Sequence, residues 1–162
     1  MAGREDGGAD RRQRLAYQLR RLTVELDQLG HQFAVQHRLH PTDMRALVVV
    51  MDGARRGQPV SPGRLGEELN LTSASVTALL DRLERQGHLR RVRDRHDRRR
   101  VTLEMEDRAV ALGAEFFGPL NADLLAAMEA FSDAELEAVG RFLAAMTDAV
   151  VANRRATVTP RG

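Results

Sequence analysis

Residues 61–87, SPGRLGEELNLTSASVTALLDRLERQG, constrain the fold most, because two helix starts and one stop are crowded into them. Ser61 followed by Pro62 reads as an N-cap with proline at the first helical position, where its missing N–H costs nothing. The helix it opens is short, with Leu65 and Leu69 as its apolar positions. Asn70-Leu71-Thr72 then connects to a second helix capped by Thr72. Here Val76, Leu79, Leu80 and Leu83 fall at i, i+3, i+4 and i+7, which puts them on one buried face. Gly87 supplies the stop. A short helix, a tight turn and a longer helix form a helix-turn-helix candidate.

Directly afterwards the period changes. Leu89 and Val92, then Val101, Leu103 and Met105, read as two strands, the second alternating at period two. Between them runs RRVRDRHDRRR, residues 90–100, with seven arginines opposed only by Asp94 and Asp97. A hairpin in this place makes the arrangement a winged helix, and the arginine stretch becomes the tip of the wing. The expected fold is mainly α with a small β-hairpin wing: a winged helix-turn-helix at 41–106 plus a helical dimerisation region at 11–40 and 107–153.

The flanks supply that region. Leu15, Leu19, Leu22, Leu26, Leu29 and Phe33 form an a/d seam, which needs partner helices in this chain or in a second copy. HPTDMRALVVVMDG restarts a helix with Thr42 as N-cap, Asp43 at its positive dipole end and Leu47, Val48 and Met51 on an apolar face. Gly53 and Gly57 are expected to end it. From Asp107 a stripe of Val110, Ala114, Phe117, Leu120, Leu124 and Met128 runs through Gly118-Pro119, where a bend is expected. Ser132 and Glu135 have capping-box spacing, and a last helix carries Leu136, Val139, Phe142, Leu143, Met146 and Val150. Residues 1–10 read as a disordered arm and 154–162 as a flexible tail.

The net charge of +2 hides strong segregation. Residues 55–100 carry twelve arginines against six acids, whereas 101–148 carry two against ten. A basic segment beside an acidic one points to a polyanion as partner of the basic face. That every basic side chain is arginine carries little weight, since lysine is missing even where no binding role exists. With no cysteine, thiolate nucleophiles, Cys-ligated zinc and thiol redox sensing are excluded. No paired-carboxylate pocket or Gly-rich phosphate loop points to an enzyme. No apolar run approaches the roughly 18 residues of a membrane span, and MAGREDGGADRR is not a signal peptide, so a cytoplasmic, nucleoid-associated protein is expected.

The stretch LTSASVTALLDRLERQGHLRRVRDRHDRRRVTLE resembles the signature region of the MarR (multiple-antibiotic-resistance regulator) family. SVTALLDRLERQG, then HLRR, then the wing motif D-x-x-D-R-R at Asp94, Asp97, Arg98 and Arg99 carry the likeness. The chain departs from the family pattern after the wing, with Leu103-Glu104 and Asp107. The resemblance implies a homodimer on pseudo-palindromic double-stranded DNA, most often a repressor, released when a small aromatic or lipophilic effector binds. No cofactor is implied.

Candidate site residues follow. On the second helix of the motif, Thr72, Ser73, Ala74, Ser75, Thr77, Ala78 and Arg82 are candidates for the major groove. Small residues let the backbone approach, hydroxyls can meet phosphates or base edges, and an Ala methyl can touch a thymine methyl. In the wing, Arg95, Arg98 and Arg99 are candidates for a minor groove, with Asp94 and Asp97 shaping the loop. Arg90 and Arg91 at the hairpin base, and Arg64 at the start of the short helix, are phosphate candidates. Phe33, His37, Met44 and Leu47 are effector-pocket candidates, since the family's pocket lies near the first helix junction. Leu15, Leu19, Leu22, Phe142, Leu143 and Met146 are dimerisation candidates. His31, His37 and His40 cluster near that junction, but solvated histidines near a turn explain them as well as a metal does; no metal site is expected. Asp94-Arg95-His96-Asp97, ringed by arginines, makes a poor cation site. The competing reading is a winged-helix protein-interaction module without DNA binding.

Overall fold

The computed structural model describes residues 3–93 and 100–158. The order is α1 Gly3–Gln36, α2 Pro41–Arg55, α3 Pro62–Leu69, α4 Ser73–Arg85, β1 Leu89–Arg93, β2 Val101–Met105, α5 Asp107–Met128 and α6 Asp133–Val158. The chain divides into two compact units, Met1–Ala114 and Glu115–Gly162, with the boundary inside α5.

The core of the first unit is the helix-turn-helix and its hairpin. Val50, Val60, Leu65, Leu80, Leu83 and Leu89 are all under 2 % exposed. Burying each such side chain stabilises the fold by about 1.5–3 kcal/mol. The caps form where the sequence puts them. Ser61 Oγ accepts the Arg64 N–H at 3.3 Å and Thr72 Oγ1 accepts the Ser75 N–H at 3.2 Å. Asn70 takes the left-handed conformation (φ 55°) and makes the tight turn between α3 and α4, which asparagine tolerates better than most residues. Gly87 (φ 70°) ends α4, with the His88 N–H returning to the Leu83 carbonyl at 2.9 Å.

The hairpin pairs Leu89 with Met105 through to Arg93 with Val101. It is joined by an edge the alternation did not announce: the Leu103 N–H donates to the Val60 carbonyl at 2.8 Å, an isolated bridge just ahead of α3. The base of the wing is thereby tied to the start of the helix-turn-helix.

Several boundaries differ from expectation. The residue preceding α2 as its N-cap is His40, not Thr42, with Pro41 at the first helical position; the His40 N–H donates to Asp43 Oδ2 at 3.0 Å. Gly53 does not end α2 but lies inside it, buried. A Cβ there would come within 2.5 Å of Val60 Cγ2 and 2.8 Å of the Gln58 carbonyl, so glycine is present for close approach. Gly53→Ala should therefore destabilise by about 1–3 kcal/mol through overpacking, read as a lower midpoint in urea with an unchanged slope. α1 starts at Gly3 rather than Arg11, and α6 runs to Val158 rather than to 153. Once a helix exists, each further residue adds a bond without a new nucleation cost, so polar composition alone does not set the ends. α5 continues through Pro119 without interruption.

The second unit contains most of α5 and all of α6. The capping box ahead of α6 is present: Glu135 Oε2 accepts the Ser132 N–H at 2.9 Å, and Ser132 Oγ accepts the Glu135 N–H at 3.4 Å. The Ser132 hydroxyl, donating to Glu135 Oε2 at 2.7 Å, and then the Ser132 N–H hold the Glu135 carboxyl below its ordinary range. Among the described residues, no helix is long and apolar enough to cross a membrane.

Candidate nucleic-acid interface

α4 divides cleanly. Val76, Leu79, Leu80 and Leu83 are buried, whereas Ser73, Ala74, Ser75, Thr77 and Ala78 are exposed. The hydroxyls of the first turn are partly occupied. Thr72 Oγ1 and Ser75 Oγ lie 2.9 Å apart, and Thr77 Oγ1 donates to the Ser73 carbonyl at 3.0 Å. What remains outermost is a strip of small side chains one helical turn apart, Ala74 and Ala78, which allows the helix backbone to come close to a groove floor.

Arg82 behaves differently from the rest of that helix. Its guanidinium turns inward to Asp43 on α2, with Nε 3.2 Å from both carboxylate oxygens and a further bond from the second arm. Asp43 is 0 % exposed. The pairing raises the Arg82 pKa above its ordinary value, chiefly through the hydrogen bond to Asp43. Arg82 thus ties α4 to α2, and a groove contact by this candidate requires exchange of the Asp43 carboxylate for DNA. The periodicity held a signal for its partner: Asp43, Ala46, Leu47, Val50 and Gly53 share one buried face of α2. An acid on a core face needs a cation.

The arginines at the hairpin base are also paired. Arg90 meets Glu104 across the strands at 2.8 Å, which raises its pKa. Arg91 bonds Glu84 and lies 2.8 Å from Asp81, both on α4; its N–H donates to Glu84 Oε1 at 2.8 Å. Arg64 lies 3.1 Å from Glu68 one turn along α3. Phosphate contacts by these three require exchange of a carboxylate for a phosphate. The wing candidates Asp94, Arg95, Asp97, Arg98 and Arg99 lie outside the described residues.

Near the first helix junction, two of the four effector-pocket candidates, Phe33 and His37, are in ring contact, centroids 4.3 Å apart. Phe33 and Leu47 are buried and Met44 is half-buried. Only His37 lines the cavity found there. That cavity, of 420 Å³, is bounded by His37 and Arg38, residues 86–88, and Arg108 and Leu112. The sequence reading missed Arg38, His88 and Arg108, because no periodicity links a helix end, a turn and a later helix start. Among the described residues, no group of three or more His, Asp or Glu is arranged to hold a metal ion.

His88 is half-buried, and its imidazole titrates below the ordinary value of 6.5, first through desolvation, then through His37 and Arg108; Asp43 acts in the opposite sense. Since the fold favours neutral His88, its unfolded form binds protons first. Its contribution is full above about pH 6.5 and declines as pH falls from there towards the lower folded-state value. His88→Gln should flatten the melting temperature profile between pH 7 and pH 5 relative to the parent.

Comparison with known proteins agrees with this geometry. A family model described as MarR family matches residues 39–100. The HTH-type transcriptional regulator YcgE of Bacillus subtilis is 32 % identical over 121 residues, covering 74 % of this chain and 76 % of that protein. The chain belongs to the MarR family. Another relative, the transcriptional repressor YetL of Bacillus subtilis, is 33 % identical over a shorter stretch, 47 % of this chain and 46 % of its own. Among solved structures, a MarR family protein from Bacillus stearothermophilus aligns with TM-score 0.61 at 24 % identity, covering 88 % of this chain and 97 % of that one. A mutant of MepR from S. aureus aligns with TM-score 0.67 at 20 % identity, covering 84 % and 96 %. These two likenesses establish the winged-helix fold. YcgE and YetL are both named as regulators of transcription, and this chain is a MarR-family transcriptional regulator.

Proposed function

We propose that this MarR-family chain is a homodimeric, sequence-specific repressor, released from pseudo-palindromic DNA by a small molecule bound beside α4. The observation that carries the reading is the exposed small-residue strip of α4, which runs through the Gly87 turn into the arginines of β1. Set against one another across a two-fold axis, two such helices enter successive major grooves about 10 base pairs apart.

The second copy is argued from apolar surface. Leu15, Leu22 and Leu26 on α1 are 40–50 % exposed, as is Leu143 on α6 (45 %), while Met146 is 38 % exposed and Val150 reaches 68 %. Leu19 and Phe142 are half-buried. Apolar stripes of this length are rarely left to water, and a symmetric dimer covers them. MepR of S. aureus has been crystallised with DNA and with ethidium bromide, and YetL is named as a repressor, which supports the DNA, ligand and repressor parts of the reading.

Footprinting on the promoter beside the protein's own gene, with sedimentation in parallel, tests it. The expected result is a dimer protecting two symmetric half-sites, with affinity falling steeply as salt rises because arginines displace counterions. A monomer at micromolar concentration, or binding indifferent to salt as for a protein-interaction module, overturns it.

A further inference from the structure

The outer face of α4 is informative for the side chains it lacks. Ser73, Ala74, Ser75, Thr77 and Ala78 make up the exposed surface of its first two turns, and none is an arginine, lysine, asparagine or glutamine. Those four types make the bidentate contacts that single out guanine or adenine in a major groove. Arg82 is turned to Asp43. Arg85, whose Nε donates to the Asp81 carbonyl at 3.1 Å, stands at the far end of the helix, about 16 Å along the axis from Ala74. In a recognition helix the N-terminal residues are the ones that contact base edges.

The hydroxyls of this face discriminate little. Thr77 spends its proton on the Ser73 carbonyl at 3.0 Å, so towards a base it only accepts. Thr72 and Ser75 share a bond of 2.9 Å. The Ser73 hydroxyl carries no hydrogen bond among the described residues, and a serine hydroxyl both donates and accepts, so it suits any base pair. What remains for selection is apolar. Ala74 and Ala78 stand one turn apart, with Cβ atoms about 5–6 Å from each other. That is close to the separation of two base steps of about 3.4 Å each.

We propose that Ala74 and Ala78 read the C5 methyl groups of two thymines in each half-site, one under each alanine. Thymine alone among the four bases presents a methyl in the major groove; cytosine has only hydrogen there, beside a polar amino group. The inference rests on the reading that α4 enters a major groove, and it names the bases selected there. Burying one methyl corresponds to about fourfold in affinity.

Fluorescence anisotropy with the full chain tests this on the duplex that footprinting delimits beside the protein's own gene. Each thymine of a half-site is replaced in turn by deoxyuridine, which deletes the methyl and keeps the pairing. Expected are two sensitive positions per half-site, separated by one base pair, with about fourfold loss at each and about 15-fold for both. With cytosine at the same positions, conversion to 5-methylcytosine should regain about fourfold. Ala78→Gly removes the alanine methyl, so one deoxyuridine penalty should vanish while the other persists; Ala74→Gly should do the same for the second position. Ala78→Ser, which disturbs the helix less, should narrow the same penalty as Ala78→Gly, and thermal melts check the fold of all three. Uniform tolerance of deoxyuridine across the half-sites, or penalties unchanged in both glycine variants, overturns the thymine reading and leaves DNA binding by α4 standing. A chain that protects no duplex at all overturns both this inference and the function it rests on.

Discussion

Arg82→Ala is expected to destabilise the protein by about 3–5 kcal/mol, the usual consequence of stripping one partner from a buried ion pair. Asp43 is fully buried and meets Arg82 with both oxygens, so the substitution leaves a buried carboxylate without its counter-charge, still accepting the His40 N–H. For a chain of this size the melting temperature should drop by roughly 6–20 °C. Arg82→Lys should fall between, because an ammonium cannot span both oxygens as the planar guanidinium does. The partner test is the double variant Asp43→Leu with Arg82→Met, which removes both charges and should recover most of the loss. Calorimetry on the three variants checks the cycle; a loss under 1 kcal/mol in Arg82→Ala shows that the pair does not hold α4 to α2.

Ala78→Glu should have the reverse profile, leaving the fold alone and abolishing DNA binding. Ala78 is exposed on the outer strip of α4, where surface substitutions usually change stability by no more than about 0.5 kcal/mol. In a groove, however, the new carboxylate meets phosphates with like charge and its bulk holds the helix backbone away. A loss of about 100-fold or more in affinity corresponds to about 2.8 kcal/mol, within the several kcal/mol that like-charge juxtaposition costs at an interface. Fluorescence anisotropy on operator DNA, beside a thermal melt, decides it. Affinity within threefold of the parent means that this face of α4 does not enter DNA.

The two variants also separate what the sequence displayed from what it withheld. Local signals were legible because each is written within one turn of chain: Ser61, Thr72 and Ser132 cap, Gly87 stops α4, and the leucines of α4 keep a helical period. The two strands of the hairpin followed from the change of period after Gly87 and the alternation of Val101, Leu103 and Met105. The partners of Arg82 and Arg91 were not legible, since side chains with equal charge and similar exposure in the sequence are sorted only by folding. Asp43 lies 39 residues before Arg82, and only its position on the core face of α2 marked it. Gly53 looked like a terminator because glycine commonly ends helices; its actual reason, the nearness of Val60, is a contact between separate elements. The lining of the cavity beside α4 was not legible for the same cause. The expected lining came from the α1–α2 junction alone, whereas Arg38, His88 and Arg108 come from three places that meet only in space.

Arg91 grips Asp81 and Glu84 from the first strand of the hairpin, and those acids lie on the back half of α4. α4 and the base of the hairpin are therefore tied to each other within one copy. On the function proposed above, the spacing between the footprints of these two elements belongs to each protein copy, and an operator varies only the gap between its halves.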